Sequence, residues 1–181
     1  MPGFNFSLFP NLTTDRLNLR QLQFSDDETI AALRSHPLVN EFLDRPNTIT
    51  PAAARQFIEK THRNTRESTS IYWAIAPKEQ DNLIGTLCLW NFSSDHYTAE
   101  IGYELHPDFQ RKGIMQEAVT AAIDYGFQQL GLYTISAVLS ANNLKSLRLL
   151  ARNGFLPDVH LLQEIPASDL FPNIVVYALR R

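Results

Sequence analysis

The chain has 181 residues, 44% of them hydrophobic and 19% charged, the balance of one soluble globular domain with enough apolar material for a substantial core. Its formal net charge of -3 argues against broad nucleic-acid binding, which needs a basic face, although a local basic patch is compatible with that total. The single cysteine, Cys88, excludes an internal disulfide; it stands in the apolar run Leu83 to Phe92 and reads as a buried small side chain with no metal-ligand cluster around it.

Met1 to Asn11 reads as an irregular arm. Met1 to Pro10 lacks a basic region followed by a continuous apolar stretch, so no signal peptide is expected. No apolar run approaches the ~20 residues of a membrane span. The expectation is a cytoplasmic chain with no membrane partner. From Arg16 to Leu22, Leu17, Leu19 and Leu22 set against Arg16, Asn18 and Arg20 predict a first strand. Ser25-Asp26-Asp27-Glu28 opens a helix with acidic residues in its first turn, and Pro37 stops it near Ser35. Thr50-Pro51 starts a second helix that reaches Arg66. Ser70 to Ala76, Leu83 to Phe92 and Thr98 to Leu105 follow as three strands separated by polar turns, which predicts an antiparallel meander.

A helix from Ile114 to Leu130 carries Val119, Ala122, Ile123, Gly126, Phe127 and Leu130 on one face. Thr134 to Leu139 is a strand, Asn143 to Asn153 a helix closed by Gly154, and Asn173 to Leu179 the last strand. The chain is therefore a single mixed α/β domain over residues 1–181, an antiparallel meander feeding a strand–helix–strand unit.

The most informative stretch is Gln110-Arg111-Lys112-Gly113-Ile114-Met115, between a strand end near His106 and a long amphipathic helix. A helix mouth offers unpaired N–H groups and a positive dipole end, where oxyanions bind. Gly113 lets backbone approach a phosphate, and Arg111 and Lys112 add charge. By itself the stretch is equally an ordinary strand-to-helix turn with two solvated cations. Neither G-x-G-x-x-G nor G-x-x-x-x-G-K-[ST] occurs, which disfavours a Rossmann or P-loop nucleotide site.

Four segments together carry a family resemblance. Gln110 to Met115 resembles the acetyl-CoA loop of the GNAT superfamily, Q/R-x-x-G-x-G/A, with Met115 in place of the last small residue. Asn143-x-x-Ser146, then Leu149-Leu150 and Gly154-Phe155, resembles that family's second CoA segment, although Asn143 alone reads as a helix cap and Gly154-Phe155 alone as a C-cap with a core aromatic. Ala99 to Tyr103 resembles its fourth strand, and Thr14-Asp15-Arg16-Leu17-x-Leu19-Arg20 resembles the opening of the ribosomal-protein N-terminal acetyltransferase branch. The resemblance runs from about residue 12 to about residue 180.

The resemblance implies the GNAT fold, a mixed and mostly antiparallel central sheet flanked by helices. It implies acetyl-CoA as cosubstrate without a metal, and direct attack by a primary amine: a protein N-terminus, or a small molecule such as a polyamine, aminoglycoside or amino acid. It places the cofactor at Leu105, His106, Gln110, Arg111, Lys112, Gly113, Ile114, Met115, Asn143 and Ser146, with a splay after the fourth strand freeing backbone groups near Leu105 and His106. Leu150 stands where many relatives carry an acid tyrosine, so Ser146 becomes the candidate acid. Glu100 and Glu164 are candidate bases, with a water relay as the remaining option, and Glu104 shares a face with Glu100. Met115 reads as a packing residue, and His106 as a turn residue before Pro107; His96 is the other histidine near a strand end. The missing tyrosine also keeps open a non-catalytic acetyl-CoA sensing module, and the helix mouth a site for another phosphorylated ligand. Monomer and homodimer are both open. The acceptor pocket is expected from loops such as His36 to Thr50 and Ile165 to Pro172.

Overall fold

The computed structural model describes residues 4–43, 45–95, 97–166 and 173–181. Among them run the strands β1 (Leu12–Thr13), β2 (Leu17–Gln21), β3 (Ile71–Pro77), β4 (Gly85–Trp90), β5 (Thr98–Leu105), β6 (Thr134–Ser140), β7 (Leu156–Pro157) and β8 (Ile174–Arg180). The helices are α1 (Asp27–Ser35), α2 (Pro37–Asn40), α3 (Pro51–Arg66), α4 (Ile114–Gln128), α5 (Leu144–Arg152) and α6 (Val159–Glu164). One eight-stranded sheet has the order β1-β2-β3-β4-β5-β6-β8-β7, antiparallel throughout except for β5 against β6. The parallel pair needs a long crossover, and α4 supplies it.

Strand alternation gives the sheet two apolar faces. On one, Leu17, Leu19, Trp73, Ile75, Leu87, Leu89, Ala99 and Ile101 pack with Ala118, Val119, Ala122 and Ile123 of α4 and Leu150 of α5. On the other, Ala74 and Tyr72 meet Ile30 and Leu33 of α1 and Ala54 and Ile58 of α3. Each fully buried aliphatic side chain here stabilises the fold by about 1.5–3 kcal/mol. Helix α3 starts as its sequence requires: Pro51 takes the first position and Thr50 Oγ1 accepts from the Ala53 N–H at 3.2 Å.

Three expectations change. Pro37 ends α1, but it also opens α2, because a proline suits a first helical turn and His36 Nδ1 accepts from the Leu38 N–H at 3.2 Å. The N-terminal arm is irregular over residues 4–11 but packed: Phe6 is 3% exposed, and Trp73 Nε1 donates to the Pro10 carbonyl at 2.7 Å. After Phe155 the chain adds β7 and α6, started by Asp158, whose Oδ1 accepts from the His160 and Leu161 N–H groups and whose Oδ2 accepts from Arg180 Nη2. Gly154 closes α5 in the left-handed region at φ +83°, with Phe155 in the core as expected. No helix of the described residues is long and apolar enough to cross a membrane.

Candidate active site

Strands β5 and β6 pair only at Thr98–Thr134, Ala99–Ile135 and Glu100–Ser136, then diverge. Beyond Glu100, β5 keeps its partner on the β4 side as far as Leu105. The His106 N–H donates to the Ile84 carbonyl at 2.9 Å, on that same side. By alternation the N–H groups of Tyr103 and Leu105 turn the other way, into the splay. The expectation for this strand end is therefore corrected: Leu105 has an amide to offer the opening, whereas the His106 amide is spent in the sheet. Gln110 Nε2 donates to the Leu105 carbonyl at 3.1 Å and ties the next loop to this edge. His106 Nδ1 accepts from the Asp108 N–H, the turn role read from its sequence context.

The loop leads into α4 through two residues in the left-handed region, Arg111 at φ +61° and Gly113 at φ +75°. Gly113 is the N-cap, and among the described residues no side chain caps the helix. The first-turn amides of a helix so begun have no intrahelical acceptor, and the dipole leaves them positive. The loop is clamped from behind. Arg16 donates to Glu117 through its backbone N–H at 2.8 Å and Nε at 2.7 Å, Arg16 Nη1 donates to the Lys112 carbonyl at 3.1 Å, and Thr14 Oγ1 donates to Glu117 Oε1 at 2.5 Å. Burial alone would push the Glu117 carboxyl up; the bonds from Thr14 and Arg16 outweigh it and hold the group below the ordinary range.

The uncapped turn opens on a cavity of about 590 Å³, well within the size of ligand sites. Its cofactor-side lining includes Leu105, Gln110, Arg111, Gly113, Ile114, Met115, Asn143 and Ser146 of the expected residues. Lys112 is not among the lining residues; its Nζ lies 5.6 Å from the Phe109 ring centroid. Met115 is both a core residue and a lining residue. Asn143 caps α5, its Oδ1 accepting from the Ser146 N–H at 3.1 Å, so the plain capping role and a place on the cavity coincide. Sequence reasoning missed Lys145, Arg148 and Arg152, which line the cavity with Arg111. Their spacing on one α5 face was the available signal. A helix mouth with free amides beside four cations fits the phosphates of acetyl-CoA.

At the other end Leu38, Val39, Glu41, Phe42 and Leu43 line the cavity together with Glu104. Arg45 donates to both Glu104 oxygens through Nη1 and Nη2, at 2.6 and 3.1 Å, and its Nε donates to Asn40 Oδ1 at 2.7 Å. This is the His36 to Thr50 loop expected at the acceptor side; positions 167–172 of the other expected loop, and His96, lie outside the described residues.

Ser146 and Tyr103 line the same cavity, and the Ser146 side chain lies near enough to the Tyr103 hydroxyl to oppose part of the effect of burial on it. Burial pushes that phenol up to about 12, so it stays protonated and can donate. The two candidate bases are not brought to this point. Glu100 is largely buried on the opposite sheet face beside Asn91, and burial pushes it up to about 7. Glu164 ends α6 and is exposed, and neither carboxylate is a lining residue. Cys88 is buried and its thiol is pushed up to about 12 by burial, the state of an inert packing residue. No group of three or more potential metal ligands occurs among the described residues.

Residues 16–156 match the family described as an acetyltransferase (GNAT) domain. The chain is 36% identical over 148 residues to the uncharacterised N-acetyltransferase YoaA of Bacillus subtilis (strain 168), covering 82% of this chain and 84% of that one. Among solved structures, the ribosomal-protein-S5-alanine acetyltransferase of Vibrio fischeri superposes with a TM-score of 0.75 at 22% identity, covering 94% of this chain and 96% of that one. The spermidine N-acetyltransferase of Vibrio cholerae, in complex with CoA and spermine, superposes with a TM-score of 0.76 at 21% identity over 92% and 96%.

Proposed function

The chain belongs to the GNAT family of acetyl-CoA-dependent acetyltransferases, and from that premise we propose that it acetylates a primary amine, a protein N-terminus, by direct attack within the splay between β5 and β6. One observation carries the reading: the uncapped first turn of α4, Glu104 of β5, Leu38 and Val39 of α2, Ser146 and Tyr103 all line one cavity.

Each residue's part follows from its place. The amides of Gly113, Ile114 and Met115, with Arg111, Lys145, Arg148 and Arg152, hold phosphate groups. The Tyr103 and Leu105 amides, turned into the splay, donate to the extended arm and to the carbonyl oxygen that gains charge. When bound, acetyl-CoA supplies an activated acyl group on sulfur. Ser146, beside the Tyr103 hydroxyl at the cavity wall, delivers a proton to the departing thiolate. Only a neutral amine attacks, so the ammonium must first lose a proton. Glu100, with a pKa of about 7, takes it through water along the β5 face it shares with Glu104. Glu104 is held by Arg45 and orients the acceptor. Glu164 is the alternative base.

The relatives named for ribosomal proteins and for spermidine support two acceptor classes. Leu38, Val39, Phe42 and Leu43 suit the apolar part of a peptide. A small polyamine is the second reading, favoured by the two carboxylates, Glu41 and Glu104, at that rim. The test is thiol release from acetyl-CoA across N-terminal peptides and polyamines. Turnover with peptides of free α-amine supports the first reading, turnover with spermidine alone the second. No release with any amine, from protein that binds CoA, overturns both in favour of a sensing module.

A further inference from the structure

Arg16 does not line the cavity, yet it holds the loop at the Lys112 carbonyl and the first turn of α4 through two bonds to Glu117. Its guanidinium reaches the Lys112 carbonyl, and its Nη2 lies 3.4 Å from where a side chain on Gly113 would begin. In a trans peptide the carbonyl and the following N–H point in opposite directions. The Lys112 carbonyl turned onto Arg16 therefore turns the Gly113 N–H away from Arg16. Gly113 borders the cavity, and a glycine tolerates either orientation of the peptide before it. Something must choose between them. Glu117 fixes the guanidinium from the other side and is itself fixed by Thr14, so the choice is made by side chains about a hundred positions away in sequence.

We propose that Arg16 is a positioning residue of the cofactor site: it sets the peptide between Lys112 and Gly113 so that the Gly113 N–H faces the cavity, ready for a phosphate oxygen. The inference rests on the reading of this loop as the phosphate site. It also joins two segments that the sequence presents separately, Thr14-Asp15-Arg16 and the Gln110 to Met115 loop with Glu117 behind it: one is the clamp of the other.

CoA without its acetyl group is titrated calorimetrically into the wild-type chain, Arg16→Met, Arg16→Lys and Thr14→Val. A hydrogen bond to a charged group sets the scale, and its loss weakens CoA about tenfold to a hundredfold in Arg16→Met. Arg16→Lys, which keeps the charge and loses the fork, falls between, and Thr14→Val changes affinity less than about threefold because the carbonyl contact survives. With saturating acetyl-CoA, kcat stays within about threefold of wild type while KM for acetyl-CoA rises. The Gly113 amide resonance, which moves on adding CoA to the wild type, stays put in Arg16→Met. Unchanged CoA affinity in Arg16→Met overturns the proposal. Should that variant not fold, unchanged affinity in Arg16→Lys overturns it equally. If wild-type protein itself does not bind CoA, the phosphate reading fails first, a result distinct from a variant that binds as well as wild type.

Discussion

The two ends of the cavity are built in different ways. The cofactor end is mostly main chain: two left-handed residues, Arg111 and Gly113, and a helix whose first amides lack a side-chain cap. The acceptor end is side chains from distant segments, with Arg45 reaching across to Glu104 from a loop 59 residues earlier. Backbone recognition depends on local conformation and on the few side chains, such as Arg16, that hold that conformation. Side-chain recognition depends on tertiary placement, and a few substitutions retarget it. On the proposed reading, acetyl-CoA is held at the first end and the acceptor is chosen at the second.

The largest expected effect is at the main-chain end. Gly113→Val places a β-branched residue at φ +75°, costing roughly 1–2 kcal/mol of stability in a conformation such residues avoid. The bulk also presses on Arg16 Nη2. The KM for acetyl-CoA should rise about a hundredfold, the loss of one to two charged hydrogen bonds. The acceptor KM should stay put, so a rise in both breaks the division. Next comes the midpoint. Ser146→Ala should lower kcat about a hundredfold, the lower bound of general-acid contributions, with CoA affinity within about threefold. Tyr103→Phe should lower it less, and the two effects should not add, because the two side chains are neighbours at one cavity.

At the side-chain end, Arg45→Met should raise the acceptor KM about tenfold while leaving that for acetyl-CoA alone, the scale of one polar contact. It also strands Glu104, which is 12% exposed, and so lowers stability by about 2–4 kcal/mol. Glu104→Gln with Arg45→Met should restore part of that stability but not the KM.

The smallest effect is on pH. The folded chain keeps a proton on Glu100 up to about pH 7, whereas the unfolded chain gives it up near 4.5. Stability therefore falls as pH rises across that window. Glu100→Gln should remove the slope and stabilise the chain at pH 8 by on the order of 1–3 kcal/mol, measured by denaturant titration. If Glu100 is the base, kcat/KM of the wild type falls below about pH 7, and Glu100→Gln lowers it at every pH. A variant that gains stability and keeps full rate moves the role to Glu164 or to water.

The same division explains what could be read in the sequence. The loop from Gln110 to Met115 was legible because its parts are local: a glycine for positive φ, neighbouring cations, an amphipathic helix behind. The α3 start at Thr50-Pro51 and the α5 close at Gly154 were legible for the same reason. The α5 cations were overlooked although their helical spacing is visible. The Arg45–Glu104 pair and the Arg16–Glu117 clamp leave no local trace, since each depends on which strand lies beside which loop. Helix α2 was hidden because Pro37 ends one helix and begins another, and a proline carries both meanings. Asp158 starts α6 with an ordinary cap, but only four residues after Gly154 had closed α5. The splay depends on where the β5–β6 ladder stops, which strand periodicity does not encode; the family resemblance supplied it.

The central claim is that the amides around Gly113 hold the diphosphate of the cofactor. A crystal structure of the chain soaked with CoA tests it most directly. The account predicts pyrophosphate oxygens about 3 Å from the Gly113, Ile114 and Met115 nitrogens, with the extended arm running past Leu105 toward Ser146. CoA bound elsewhere, or a diphosphate held by side chains alone with those amides facing away, would contradict it.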